Sequence, residues 1–150
     1  MEIFRITTRK WANTLSGSGF SGRWNSEGIF VVYCAESKSL ACLENLVHRN
    51  GFGQNDNFCV ISLFIPDDLV ATEVQIQQLP IGWNDPLERG HLICRIFGDR
   101  WVAAGKTCLL RVPSAIIDGE YNVLINPLHK DFNKIVVKSV EKFTFDQRLK

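Results

Sequence analysis

Two short apolar runs constrain this chain more than any other feature. Residues 29–35 (IFVVYCA) and 58–65 (FCVISLFI) are almost unbroken in apolar character, and each is one strand long. Runs of that length bounded by turn residues read as strands, and the adjacent valines of the first mark a strand buried on both faces. Pro66 closes the second. Between them, SKSLACLENLVHRNG has the helical pattern, with Leu40, Leu43, Leu46 and Val47 forming an apolar stripe. Ser37 or Ser39 can cap its start, and Gly51 suits the position just past its end.

The rest of the chain supplies further elements without a regular βαβ rhythm. Residues 2–6 (EIFRI) read as a short strand, and 13–22 as a glycine- and serine-rich loop. Prolines 66, 80 and 86 punctuate the next region, where TEVQIQQL has the period of an exposed strand or edge. LERGHLICRIFGDRWVAAG predicts one or two short helices broken near Gly98. TCLLRVPS is a strand stopped by Pro113, DGEYNVLINPLHKDFN a turn, and KIVVKSVEKFTF one or two terminal strands. The expected fold class is α+β, with compact mixed-strand sheets and flanking helices, in preference to a doubly wound sheet. At 150 residues, with no repeat or linker, one domain spanning 1–150 is expected.

Composition narrows the function. A net charge of +1 and a pI near 7.6 argue against a chain whose main task is gripping a polyanion. No apolar stretch approaches the roughly 20 residues of a membrane helix. MEIFRITTRKW has an acid at position 2 and no apolar core, so it does not read as a secretory signal. The five cysteines never form C-x-x-C and the three histidines are scattered, so no metal site is expected. Reduced thiols in a cytoplasm are the simplest reading of that cysteine usage.

Six positions attract attention, each with a plain structural alternative. Glu44 sits at the border of the apolar stripe, where a carboxylate is partly desolvated and needs a partner; pairing with a nearby Arg or Lys would explain it. On the same wheel Asn45, His48 and Arg49 point away from the stripe. Arg23 lies in the turn Gly-Arg-Trp-Asn and offers a rigid donor fork for carboxylate or phosphate, or else it is a surface Arg over an exposed indole. Tyr33 lines one side of its strand, as a core tyrosine does. Ser114 follows Val-Pro, and Asn122 and Asn126 flank VLI, placements that turn chemistry alone explains.

Taken together, GRWNSEGIFVVYCAESKSLACLENLVH, GDRWVAAGKTCLLRVPSAIIDGEYNVLINPLHKDFNKIVV and the closing FTFDQRL resemble the RES-domain proteins over residues 2–149. That family is named for an Arg, a Glu and a Ser, and its members are toxins of bacterial toxin–antitoxin pairs. The resemblance implies a fold similar to the ADP-ribosyltransferase toxins and an activity that destroys cellular NAD, with NAD as substrate and no separate cofactor. It assigns catalytic roles to Arg23, Tyr33 and Glu44, and NAD-binding roles to Arg5, Ser114 and Asn122. It also implies an antitoxin partner with a helix-turn-helix DNA-binding domain in a hetero-oligomer, and no nucleic-acid or membrane contact by this chain itself. The acceptor of the ADP-ribosyl group stays open among water, phosphate and a protein side chain. A non-catalytic binding module and a nucleic-acid-cleaving toxin are the rival classes.

Overall fold

The computed structural model describes residues 1–48 and 57–149. In chain order the elements are β1 (Glu2–Thr8), α1 (Arg9–Ala12), β2 (Val32–Ala35), α2 (Lys38–His48), β3 (Phe58–Phe64), β4 (Ala71–Glu73), α3 (Glu88–Ala104), β5 (Leu109–Pro113), β6 (Tyr121–Ile125) and β7 (Val136–Phe143). The strands form one seven-stranded sheet in the order β4-β5-β6-β2-β1-β3-β7. The β4–β5 pairing is parallel and the others are antiparallel, so the sheet is mixed and the class is α+β.

Strand alternation distributes the core over both faces. Val123 and Ile125 of β6 pack with Ile3, Val32, Ile61 and Leu109 on one side. Leu124, Leu110 and Val112 point the other way, against Cys94 and Trp101 of α3 and the indole of Trp24. A third cluster joins Leu40 and Ala41 of α2 to Ile6, Ala35 and Val60. The run 58–64 is buried at every position but its last, as its composition predicts.

The structure bears out some of the expected elements and corrects others. The first apolar run is ladder-paired only from Val32, and Phe30 is about half exposed, so this strand is shorter than 29–35. Ser37 caps α2: its hydroxyl accepts the Leu40 N–H at 3.0 Å. Gly51, the expected stop signal, lies outside the described residues. Segment 72–79 contributes only the short β4 before a 3-10 turn at Ile76–Gln78, which Gln75 and Gln78 close as a capping box. The expected turn 118–133 conceals β6, whose last three residues are fully buried; Gly119, Asn122, Asn126 and Pro127 mask a short apolar core. The terminal segment is one exposed edge strand, β7.

The break expected at Gly98 is absent, and α3 runs unbroken for 17 residues. A Cβ at Gly98 would stand 1.7 Å from the carbonyl oxygen of Trp24. The glycine therefore serves close packing of the helix on a loop backbone, not helix termination. Termination falls to Gly105, left-handed at φ 59° with its N–H bonded to the Trp101 carbonyl.

Candidate active site

The loop between α1 and β2 is held in place from several sides. Asn25, 2 % exposed, donates to the carbonyls of Phe20 and Ile29, both at 2.9 Å. The Tyr33 hydroxyl donates to Asn25 Oδ1 at 2.5 Å and accepts the Trp24 N–H at 3.0 Å. From α3, Arg95 donates to the Gly22 carbonyl at 2.9 Å, and the Asp99 carboxylate accepts from the N–H and hydroxyl of Ser26. Gly22 is required because a Cβ there would approach the Tyr33 hydroxyl to 2.6 Å. Trp24 is buried, so the exposed-indole reading of this turn does not hold. Burial also pushes the Tyr33 phenol well above its ordinary value, leaving it neutral at physiological pH.

Glu44 projects from the middle of α2. Its Oε1 accepts from Asn122 Nδ2 at 2.6 Å and from the Ser114 hydroxyl at 3.2 Å. Ser114 Oγ itself accepts the N–H groups of Ile116 and Ile117, which leaves its proton directed at the carboxylate. On the other oxygen, Oε2, His48 Nε2 stands 3.5 Å away. The carboxylate's neighbours are therefore an amide, a hydroxyl and an imidazole, not the Arg or Lys that pattern alone suggests. Burial by itself would raise the Glu44 carboxyl. Hydrogen bonds from His48, Asn122 and Ser114, with the His48 charge, outweigh it and hold the group below its ordinary 4.5.

Glu44 opens onto a cleft of about 290 Å³ walled by β1, the 18–23 loop, β2, α2 and β6. Arg5, Arg23, Tyr33, Glu44 and Asn122, five of the six residues to which the family resemblance assigns roles, all line it. Ser114 does not: it is 5 % exposed and sits behind Glu44, so its bond goes to the carboxylate and not into the cleft. Both arginines are partly engaged. Arg5 donates to the Ser16 carbonyl at 3.0 Å, and Arg23 to the carbonyls of Trp83 and Asp85 at 2.8 and 3.1 Å. A guanidinium has further N–H groups to offer and stays cationic at neutral pH. Among the described residues no group of three or more His, Cys, Asp or Glu is placed to hold a metal ion.

Two contributors escape sequence reading. His48 was expected to point away from the stripe, yet it turns onto Glu44 and lines the cleft; the i, i+4 spacing is the signal that reveals it. Asn25 looks like an ordinary turn residue, and only its burial shows that it organises the loop.

A mixed seven-stranded sheet flanked by helices, with this cleft beside α2, is an α+β architecture. Residues 2–146 match the RES domain, and the chain belongs to that family. It is 40 % identical over 144 residues to the Prs ADP-ribosylating toxin of a Sphingobium species, spanning 92 % of this chain and 88 % of that protein. It is 36 % identical to the toxin Res of Photorhabdus laumondii, over 99 % of this chain and 97 % of the relative. Among solved structures, the Mycobacterium tuberculosis MbcT–MbcA toxin–antitoxin complex contains a chain that superposes with a TM-score of 0.72 at 17 % identity, covering 95 % of this chain and 84 % of that one. At that identity the likeness concerns the fold.

Proposed function

We propose that this chain is the toxin of a bacterial toxin–antitoxin pair and that it consumes NAD by breaking the nicotinamide–ribose bond. The observation that carries this reading is the setting of Glu44, an ionised carboxylate on the wall of a cleft that also contains two guanidinium groups. When the bond breaks, its electron pair neutralises the pyridinium ring, so nicotinamide departs without needing a proton. Positive charge is left on the ribose as an oxocarbenium-like species. Glu44 stabilises that charge and accepts a hydrogen bond from a ribose hydroxyl. Arg5 and Arg23 supply charge-assisted bonds to the diphosphate. The Tyr33 ring orients the nicotinamide ribose, and Asn122 and Ser114 keep the carboxylate aimed.

Water as acceptor makes the protein a glycohydrolase, and phosphate a phosphorylase. Transfer to a protein side chain is the second reading, favoured by the Sphingobium relative's description as an ADP-ribosylating toxin. In this proposal the toxin acts in the cytoplasm and is restrained by an antitoxin that carries the helix-turn-helix domain and makes the DNA contacts. The toxin–antitoxin assembly of the M. tuberculosis neighbour supports an antitoxin partner, without bearing on its DNA-binding domain. No described helix is long and apolar enough to cross a membrane.

The test is nicotinamide release from NAD by the purified chain, with and without phosphate, followed by identification of the ADP-ribosyl product. A folded wild-type protein that releases none removes the enzyme reading and leaves a protein-binding module. RNA added to the same incubation should survive intact, whereas its degradation would point to a nuclease.

A further inference from the structure

The two oxygens of Glu44 have unlike surroundings. Oε1 accepts from both Asn122 and Ser114, which the sheet and its adjoining turn hold in place. Oε2 has His48 beside it at 3.5 Å, one helical turn along α2, and that imidazole is 59 % exposed against 21 % for Glu44. Both side chains line the cleft. A ribose hydroxyl entering the cleft therefore has Oε2 as its open acceptor, the same oxygen that His48 approaches.

We propose that His48 is a positioning residue that governs Glu44: as imidazolium it pairs with Oε2 and offsets the charge the transition state requires, and as neutral imidazole it yields that oxygen to the substrate. The inference rests on the reading of Glu44 as the carboxylate of NAD cleavage. Histidine side chains change charge between about pH 5 and 8. Besides His48, the hydrogen bonds from Asn122 and Ser114 also favour the ionised Glu44 carboxylate, and they do not depend on the imidazole. Among the described residues, the charged groups facing His48 are Glu44 on its own helix and Arg5 and Arg23 across β1 and the loop. From α3, His91 also interacts with it electrostatically. Guanidinium groups as a class carry a fixed charge, so His91 is the necessary control.

The experiment measures kcat/KM for nicotinamide release from about pH 5.5 to about 8 for wild type, His48→Gln, His48→Lys and His91→Gln. Wild type should rise with pH by roughly fivefold, the size expected when a half-exposed ion pair is released. His48→Gln, a neutral donor, should be flat at the upper level; His48→Lys, permanently charged, flat at the lower one. His91→Gln should follow wild type. A flat wild-type profile, a rise that persists in His48→Gln or vanishes in His91→Gln, or a folded His48→Gln inactive at every pH would overturn the proposal. Proton NMR supplies a readout independent of turnover: the His48 ring signals of wild type should move in Glu44→Gln, because the imidazole has lost the carboxylate beside it. Unchanged ring signals would also overturn it. Wild type that releases no nicotinamide at any pH defeats the functional reading instead, and the NMR comparison still decides whether His48 and Glu44 are in contact.

Discussion

At Glu44, burial and hydrogen bonding act in opposite directions on one carboxyl, and hydrogen bonding wins. Replacing Glu44 by Gln keeps the shape and removes the charge. Nicotinamide release should then fall by roughly 10²–10³, the typical loss for one preorganised electrostatic group, with NAD binding retained. An unchanged rate would clear Glu44 of the role. The same carboxyl sets a pH dependence for stability. A group lowered in the folded state contributes stability that is present above its unfolded value and lost as pH falls through the folded one. This part of the advantage of wild type over Glu44→Gln should thus shrink below pH 4.5, as read by urea titration at stepped pH. Ser114→Ala leaves the Ile116 and Ile117 N–H groups without their acceptor. It should cost about 1–3 kcal/mol of stability and lower turnover while KM for NAD changes little, because Ser114 touches Glu44 and not the cleft. A rise in KM with turnover intact would instead place Ser114 against the substrate.

Among the elements, α3 shapes the site without lining its cleft. Its residues Arg95 and Asp99 bond the loop that carries Arg23, and its Gly98 admits the Trp24 backbone. Gly98→Ala should destabilise the protein by at least about 3 kcal/mol, as backbone overpacking does. Gly105→Ala, strained only by its left-handed backbone, should cost about 1 kcal/mol. Chemical denaturation of the two variants separates these values, and equal costs would contradict the close-packing role of Gly98. Here the sequence misleads for a definable reason. Glycine in a helical pattern marks either a break or a notch, and the choice depends on a loop some seventy residues earlier in the chain. A similar ambiguity hides β6, because the three buried residues Val123, Leu124 and Ile125 are too few for periodicity to outweigh the turn formers around them.

For the molecule as a whole, sheet order is what assembles the cleft. β2 lies between β1 and β6, so Arg5, Tyr33 and Asn122 come from three adjacent strands. α2 leaves β2 directly and carries Glu44 back over them, its Leu40 and Ala41 seated against Ile6 and Ala35. A ligand that spans such a cleft should stabilise the fold by mass action, by about 2.7 kcal/mol at a hundredfold excess over Kd. NAD should therefore raise the Tm of Glu44→Gln, which binds without consuming it, and raise it far less once Arg23→Gln is added. Equal shifts in the two proteins, measured by scanning calorimetry, would remove Arg23 from NAD binding.

Local pattern was sufficient for the strand character of 58–64, the helix with a serine at its start and the mixed α+β class, because apolar periodicity and capping depend on near neighbours. The recurrence of Arg5, Arg23, Tyr33, Glu44 and Asn122 in family-like blocks was also legible in order along the chain. Tertiary structure alone decided that these five share a cleft while Ser114 stands behind it, and that His48 joins Glu44. Those facts depend on which strands become neighbours and on which donors reach a buried oxygen, quantities that arise only when distant segments meet.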